Sequence, residues 1–484
     1  MPQLQRILFV TGRLAEDVVR RVTREVTERI GADAEVAVLS VSVAALLHVD
    51  LIRRRLAIPD DVDRVIVPGW VQGDLSTLTA AFGVPFERGP KDILDLPEHF
   101  GLGARKQVDL SAFDIEILAE INHAPRMSDD EILSLARHFQ AGGADLIDVG
   151  CIPGHSWPRV GDVVKRLRDE GLRVSIDSFD RNEVESAVAA GAELVLSVNG
   201  TNIDWAQGLP AELVAIPDLP SDLDSLKVTI DRLGKANARF RIDPILEPIG
   251  FGFAASLARY YEARRRWPDL PVMMGVGNLT ELAEVDTAGV NLLLAAICQE
   301  LGVHSILTTE VINWAGSAVK EFDCARRLAK YAIDRRSLPK HVDSSLVLLR
   351  DPRLKPLGQS QLDRLAEQIR DPNFRIFVER GEIHVMNRDG YWRGRDAFQL
   401  FEQFQQASPV DASHAFYLGY ELAKAVTALT LSKQYEQDRA LRWGFLTIEE
   451  RSPHAEAGGR EEEGTSATGP AASEGDLVAE GDAG

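Results

Sequence analysis

The chain has 484 residues, 45% of them hydrophobic, and a formal net charge of −20. A chain of this length is too long to fold around one ordinary hydrophobic core, which predicts about three domains. The acidic balance argues against a nucleic-acid partner, because binding a phosphate backbone requires a basic surface.

The cysteines and the N-terminus indicate a reducing compartment. Cys151, Cys298 and Cys324 have no spacing typical of a disulfide framework. The opening "MPQLQRILFVTG" lacks the order of charged, apolar and small residues found in a secretory signal. No apolar run reaches the roughly 18 residues that a bilayer span requires. We therefore expect a cytoplasmic protein without a membrane partner.

Residues 1–108 predict a small N-terminal α/β domain. Short apolar strands, "RILFVTG", "AEVAVLS" and "DRVIVPG", alternate with helical patterns such as "LAEDVVRRVTREVTERIG". This alternation is typical of a parallel sheet whose strands are connected by helices.

Residues 112–335 show a longer and more regular alternation. The candidate strands are "FDIEILAEI", "DLIDVG", "LRVSIDS", "ELVLSV", "ELVAIPD", "RFRIDPI", "PVMMGVG" and "HSILTTE". Eight apolar strands separated by helical segments favour a closed (β/α)8 TIM barrel. An open doubly wound sheet is the alternative. The fold class is therefore α/β, with a central barrel.

The C-terminal part changes in character. Residues 340–449 predict a separate α+β domain, with a hairpin that turns at residues 388–390 and a helix over residues 412–441. Residues 450–484 carry many carboxylates and few large apolar side chains, which predicts a disordered acidic tail.

The stretch "VSIDSFD" places two carboxylates at the end of an apolar strand. Asp180 precedes a helical pattern with Glu183 three positions later, an arrangement typical of a helix N-cap. Asp177 has no such structural explanation. Because catalytic groups of a (β/α)8 barrel lie at the C-terminal ends of its strands, Asp177 is a candidate ligand-binding residue.

Polar or small residues recur at the same place on other strands. They are Asn122, Asp148, Asn199, Asp243, Gly275 and Asn278. A ring of carboxylates and amides suits a neutral heterocycle that has several N–H donors and a carbonyl group.

The motifs "EINHAP", "GADLIDVG", "VSIDSFD", "AGAELVLSVNG" and "RIDPILEPIGFGF" resemble those of the pterin-binding barrel superfamily, which holds dihydropteroate synthases and corrinoid methyltransferases. By that resemblance, Asp177, Asn199 and Asp243 hold a pterin ring. Asn122 helps to hold a Mg²⁺ ion that is bound through the substrate diphosphate. Asp148, Gly275 and Asn278 join the substrate-binding residues.

The chain departs from dihydropteroate synthases in several motifs. Its seventh strand ends in "GVGNLTE", where Asn278 is similar to the methyltransferase branch, and "TTEVIN" lacks the usual Arg-x-His. With its outer domains, the chain resembles dihydropteroate synthase-related proteins of tetrahydromethanopterin biosynthesis, a branch of one-carbon metabolism. That resemblance implies condensation of 6-hydroxymethyl-dihydropterin diphosphate with ribofuranosylaminobenzene 5'-phosphate, an arylamine. Asp177, Asp243 and Asn122 are then the catalytic candidates.

Three residues outside the strand ends complete the predicted substrate site. Phe251 or Phe253 is a candidate to cover the pterin ring, with a turn packed by core phenylalanines as the alternative. Arg126 and His155 are candidates to meet a substrate phosphate, against the simpler reading of solvated surface groups. Glu310 is a candidate acid or base, against a salt-bridged rim.

Other readings stay open. A zinc site of His123, Cys151 and His155 has no recognised spacing and is disfavoured. Methyl transfer from a methylated tetrahydropterin to a corrinoid protein is the alternative activity, and a non-catalytic pterin-binding scaffold is another. A homodimer is possible, since barrels of this superfamily are often dimers.

Overall fold

The computed structural model describes residues 4–103 and 108–450. Contacts divide the chain into two units, residues 1–346 and residues 347–484. The N-terminal sheet and the barrel both belong to the first unit. Nearly all of the predicted acidic tail, residues 451–484, lies outside the described residues.

A four-stranded parallel sheet begins the first unit. Its strands lie in the order β2, β1, β3, β4, with all neighbours parallel, as expected for an α/β region. The strands are β1 (Gln5–Gly12), β2 (Ala32–Leu39), β3 (Arg64–Val67) and β4 (Phe86–Arg88). The helices are α1 (Glu16–Ile30), α2 (Val49–Arg55), α3 (Ser76–Phe82) and α4 (Leu96–His99).

Eight parallel strands form the barrel. They lie in the order β10, β9, β8, β7, β6, β5, β12, β11. The two ends of this row meet, because Ile242 N–H donates to the Pro271 carbonyl at 2.9 Å. The strands are β5 (Glu116–Ile121), β6 (Leu146–Gly150), β7 (Val174–Asp177), β8 (Leu194–Val198), β9 (Glu212–Ala215), β10 (Phe240–Ile242), β11 (Met273–Gly275) and β12 (Ser305–Thr308). The predicted closed barrel is therefore confirmed, and the open-sheet alternative is wrong.

Helices cover the outside of the barrel. They are α5 (Asp129–Gly142), α6 (Val160–Asp169), α7 (Arg181–Ala189), α8 (Ile203–Ala206), α9 (Leu223–Lys235), α10 (Phe253–Arg266), α11 (Gly277–Thr280), α12 (Ala288–Leu301) and α13 (Ala318–Asp334). Asp180 caps α7, as predicted, by accepting from the N–H groups of Asn182 and Glu183. No helix in the described parts of the chain has the length and apolarity to cross a bilayer.

Side chains alternate between the two faces of each barrel strand. On β5, Ile117 and Ala119 pack in the large core shared with the helices, whereas Leu118 belongs to a smaller core inside the barrel. Leu146 on β6 and Leu194 on β8 also face the inside. Because the side-chain period of a strand is two, the residue two positions after each of these also faces the barrel interior.

The second unit packs helices against a three-stranded antiparallel sheet. Its elements are α14 (Gln359–Gln368), β13 (Arg375–Glu379), β14 (Glu382–Asn387), β15 (Gly390–Gly394), α15 (Ala397–Ala407) and α16 (Ala412–Leu431). The predicted hairpin is thus a meander with a further turn at Arg380 and Gly381. The predicted helix ends ten residues early, because Ser432 takes a left-handed conformation (φ 55°) and stops it.

Candidate functional site

The barrel interior carries carboxylates at its C-terminal end. Glu120 follows Leu118 by two positions on β5, and Asp148 follows Leu146 by two on β6, so both face inward. The two residues are directly opposite each other in the strand register. Asp177, the last residue of β7, is opposite Gly150 of β6 where these two strands pair. Three neighbouring strands therefore bring three acidic side chains to one place.

These carboxylates form a buried cluster. One oxygen each of Glu120, Asp148 and Asp177 lies within 4.8 Å of the others. Asp148 is 0% exposed, and the other two side chains are partly exposed. Burial, together with the charges of Asp177 and Glu281, raises the pKa of Glu120 to about 8. Burial and the neighbouring carboxylates also raise the pKa of Asp148 well above its ordinary value.

Two serines contact this cluster. Ser175 Oγ donates to Asp148 Oδ1 at 2.6 Å. Ser197 lies at an irregularity of β8 and has a positive φ of 66°. Its hydroxyl partly offsets the burial that raises the pKa of Asp177. Bulges of this kind re-aim side chains and are common beside active sites.

Asp243 lies at the centre of a second set of polar contacts. Its Oδ1 accepts from Tyr260 Oη at 2.5 Å and from Ile245 N–H at 2.7 Å. Its Oδ2 lies beside Gly275, where an added Cβ would be 3.9 Å away. Burial raises the pKa of Asp243 to about 6, although these hydrogen bonds oppose the change. Asp243 therefore becomes ionised near neutral pH.

The loop after β10 holds a strained conformation. Ile245 has a φ of 67°, which is costly for a β-branched residue. Arg259 fixes this loop by donating to the carbonyls of Pro244 and Ile245 and to the carboxylate of Glu247. Strain that surrounding contacts enforce in this way is found preferentially at functional sites.

The three asparagines differ in their surroundings. Asn199 Oδ1 accepts from Thr201, and within the described residues its amide nitrogen has no hydrogen-bond partner. Asn122 Oδ1 accepts from the Thr309 hydroxyl, which joins the ends of the first and eighth strands. Asn278 donates to the Leu246 carbonyl at 2.9 Å and so lies beside Asp243. Within the described residues, both N–H groups of the Asn199 amide are thus free, whereas the Asn278 amide donates to the loop after β10.

Two of the predicted substrate contacts differ in their exposure. Asp148 is 0% exposed, so a ligand in the barrel mouth meets Asp177 before it meets Asp148. Phe251 is 78% exposed, whereas Phe253 packs against the barrel core. Phe253 therefore shows the core packing of the alternative, and the covering role of Phe251 stays a prediction.

The other loop candidates lie at the surface. Arg126 and His155 are both exposed. Glu310 turns toward the outer helices, where it contacts His138 Nε2 at 3.0 Å and accepts from Val319 N–H. Glu310 therefore makes the rim contacts that the structural reading predicted, with His138 as its side-chain partner.

The acidic cluster, and not the zinc candidates His123, Cys151 and His155, has side chains close enough together to bind a metal ion. Among residues 4–103 and 108–450, the group of acidic, histidine or cysteine side chains close enough to hold an ion is Glu120, Asp148 and Asp177. His123, Cys151 and His155 do not form such a group.

Sequence reasoning missed several residues of the site. Glu120 had a usable signal, because it is a carboxylate within an apolar strand, as Asp177 is. Tyr260, Arg259 and Ser197 had none, since a tyrosine and an arginine in a helix and a serine in a strand are common. Their roles depend on neighbours that are distant in sequence.

Three parts of the chain match models of protein families. Residues 122–219 match the model described as pterin binding enzyme. Residues 5–91 match a family of unknown function, DUF6513, and residues 364–438 match a model described as PterinBD-DUF4346. Part of the barrel is therefore similar to pterin binding enzymes, and the matched part includes Asp148, Asp177 and Asn199.

Individual relatives were also found. An uncharacterized protein of Methanocaldococcus jannaschii is 27% identical, over 90% of this chain and 99% of its own length. The dihydropteroate synthase of Yersinia pestis is 22% identical, covers 47% of this chain and 95% of its own, and has a TM-score of 0.36. The dihydropteroate synthase of Thermus thermophilus is 19% identical, with coverages of 46% and 96% and a TM-score of 0.37.

Proposed function

We propose that this chain is a pterin-dependent transferase that condenses 6-hydroxymethyl-dihydropterin diphosphate with an arylamine. The supporting observation is that Asp177 and Asn199 lie in the part that matches pterin binding enzymes and at the mouth of a closed barrel. Asp243 stands on another strand of the same barrel end. Carboxylates accept the N–H donors of an aminopyrimidine edge, and the free Asn199 amide nitrogen donates to a ring acceptor.

The reaction joins the amine nitrogen to the pterin methylene carbon. The bond from that carbon to the diphosphate oxygen breaks, and the amine releases one proton. The nucleophile belongs to the substrate, so the protein contributes orientation and charge. The carboxylate forms of Asp177 and Asp243 would stabilise the positive charge that develops on the pterin as diphosphate leaves.

In this proposal, Mg²⁺ would be bound to the diphosphate of the substrate. The amide oxygen of Asn122 accepts one hydrogen bond from Thr309 and keeps a second lone pair, so it fits a single neutral ligand to such an ion. The ion would offset negative charge on the leaving group. Every other ligand to this ion would come from substrate and water.

We propose ribofuranosylaminobenzene 5'-phosphate as the amine, and the pathway as tetrahydromethanopterin biosynthesis. Arg126 and His155 support a phosphorylated amine, because both are exposed on loops that follow the first two barrel strands. An arginine fork pairs well with phosphate oxygens.

Diphosphate release tests this proposal. Purified full-length chain is incubated with the dihydropterin diphosphate, Mg²⁺ and either the ribosylated amine or 4-aminobenzoate. Release only with the ribosylated amine is expected. Release with 4-aminobenzoate would indicate folate synthesis, and pterin binding without turnover would indicate a scaffold.

A binding experiment tests the pterin site separately. Asp177→Ala should weaken pterin binding about 10- to 100-fold in calorimetry, because a charged hydrogen-bond acceptor is lost. Glu310→Gln is the matched control, since this strand-end carboxylate faces the outer helices. Equal affinity of Asp177→Ala and the unmodified chain would reject the assignment.

Methyl transfer to a corrinoid protein is the second candidate. Asn278 favours it, because this residue lies beside Asp243 and is similar to the methyltransferase branch. Demethylation of a methyltetrahydropterin by reduced cobalamin, without any diphosphate chemistry, would establish this activity instead.

A further inference from the structure

The acidic cluster of Glu120, Asp148 and Asp177 differs from the carboxylates of Glu116 and Glu212 at the N-terminal end of the strands. Arg241 pairs with Glu116 and Glu212 at the other end of the barrel. Within the described residues, no lysine, arginine or histidine forms an ion pair with any of the three clustered carboxylates. Their polar contacts are the hydroxyls of Ser175 and Ser197. Within the described residues, the protein therefore supplies hydroxyl groups but no cationic side chain to this cluster.

Asp148 supplies an independent sign of a missing partner. Its Oδ1 accepts from Ser175, but its buried Oδ2 has no hydrogen-bond partner in the part of the chain that the structure describes. A fully buried carboxylate oxygen without a partner is costly and calls for a ligand. Since Ser175 occupies Oδ1, Oδ2 is the oxygen left for a ligand within the cluster.

The chain also makes room for the Glu120 carboxylate. A Cβ built on Gly150 would lie only 2.6 Å from Glu120 Oε1. Any other residue at position 150 would therefore displace this oxygen. Gly150 allows Glu120 to extend over β6 toward its two acidic neighbours.

We propose that Glu120, Asp148 and Asp177 together bind one divalent cation of the Mg²⁺ and Mn²⁺ class. Three carboxylate oxygens from three adjacent strands, all within 4.8 Å, suit a hard ion with oxygen ligands. The partly exposed sides of Glu120 and Asp177 leave the remaining coordination positions to water or substrate at the mouth. This site is separate from an ion carried by a diphosphate and does not require the proposed reaction.

Mn²⁺ binding to the full-length chain provides the test. The protein is first treated with a chelator and then titrated with Mn²⁺, without pterin or diphosphate, and free ion is followed by electron paramagnetic resonance. We expect one ion per chain, displaced by Mg²⁺. Glu120→Gln should weaken binding by at least about 10-fold, since losing even an outer-shell group has this effect.

Glu281→Gln is the matched control. Glu281 lies close enough to influence Glu120 but is outside the three-carboxylate group. It should leave Mn²⁺ affinity within about twofold. Equal weakening by both variants would show that general negative charge attracts the ion, and would overturn the proposed site.

Two further outcomes separate this proposal from the proposed function. If the unmodified chain binds pterin but takes up Mn²⁺ only at millimolar concentration or at several sites, the cation site is overturned and the pterin site stands. If Mn²⁺ binds with the expected dependence on Glu120 and pterin does not bind, the transferase proposal fails instead. Anomalous scattering from Mn²⁺ in crystals of the unmodified chain locates the ion should Glu120→Gln not fold.

Discussion

Two groups of carboxylates at opposite ends of the barrel have different partners. At the N-terminal end of the strands, Arg241 is only 8% exposed by side chain and donates to Glu212, Glu116 and Ser305. Burial acts to raise the pKa of Glu116, but Arg173 and Arg241 outweigh it and lower that pKa. At the C-terminal end, Glu120, Asp148 and Asp177 form no ion pair with a cation among residues 4–103 and 108–450, and the pKa of each is raised.

We interpret this difference as a division between carboxylates that stabilise the fold and carboxylates that are available to a ligand. A charge that the protein neutralises itself contributes to the fold, whereas a charge left without a partner is available to a ligand. In (β/α)8 barrels, the N-terminal face is associated with stability and the C-terminal face with activity. The contrast predicts that neutralising substitutions at the two ends change stability in opposite directions.

The largest expected effect is at the N-terminal end. Arg241→Met should lower the free energy of unfolding by about 3 kcal/mol, because it leaves the partly buried Glu212 without its cation, leaves Glu116 with Arg173 alone, and leaves Ser305 without a partner. Denaturant unfolding measures the change. Arg173→Met is the control, since Arg173 is nearly half exposed and its loss should cost less than about 1 kcal/mol. A similar small cost for Arg241→Met would contradict the comparison.

Asp243 should give the next largest effect, as a dependence of stability on pH. Its pKa is raised from 3.8 to about 6, so its contribution to stability is full below pH 4 and is lost as pH rises through 6. A shift of about two units corresponds to about 3 kcal/mol. Unfolding curves between pH 4 and pH 7 should therefore show this loss in the unmodified chain and not in Asp243→Asn.

Tyr260→Phe sharpens the pH experiment. The Tyr260 hydroxyl donates to Asp243 and favours its ionised form. Removing this hydrogen bond should move the loss of stability to higher pH. A step that stays in place would show that Asp243 is not the group responsible.

A smaller effect of opposite sign is expected at the acidic cluster. Asp177→Asn should raise the free energy of unfolding by about 2 kcal/mol at pH 9 in the presence of a chelator, because it removes repulsion between close carboxylates. Glu212→Gln is the comparison at the other end, where Arg241 loses its partner and stability should fall. Destabilisation by both substitutions would remove the distinction between the two ends.

The smallest effect is expected on the loops. Arg126→Ala should change stability by less than about 0.5 kcal/mol, because the side chain is exposed. If it binds the substrate phosphate, the KM for the ribosylated amine rises while kcat is unchanged. An unchanged KM would remove Arg126 from the substrate site.

Much of the fold was readable from local patterns. The eight barrel strands lie where continuous apolar runs predicted them, since strands enclosed by helices are apolar on both faces. The Asp180 cap was readable as well, because a cap depends on residues only a few positions apart. The end of α16 was not, since the left-handed Ser432 has no strong sequence signal.

The site was readable only in part. Asp177 and Asp243 were identified by their place at strand ends, and Glu120 was within reach of the same reasoning. Asp148 was identified too, but its complete burial was not, because exposure depends on packing between strands. The exposure of Phe251 could not be predicted either, because the fold leaves this aromatic side chain in solvent.

The sequence by itself determined the order of strands and helices, the caps and the inward alternation, because these follow from the chemistry of neighbouring residues. Only the tertiary structure decided which carboxylates receive an arginine and which do not. Glu116 and Arg241 are far apart along the chain and meet because the barrel closes. The same closure brings Glu120, Asp148 and Asp177 together without a cation.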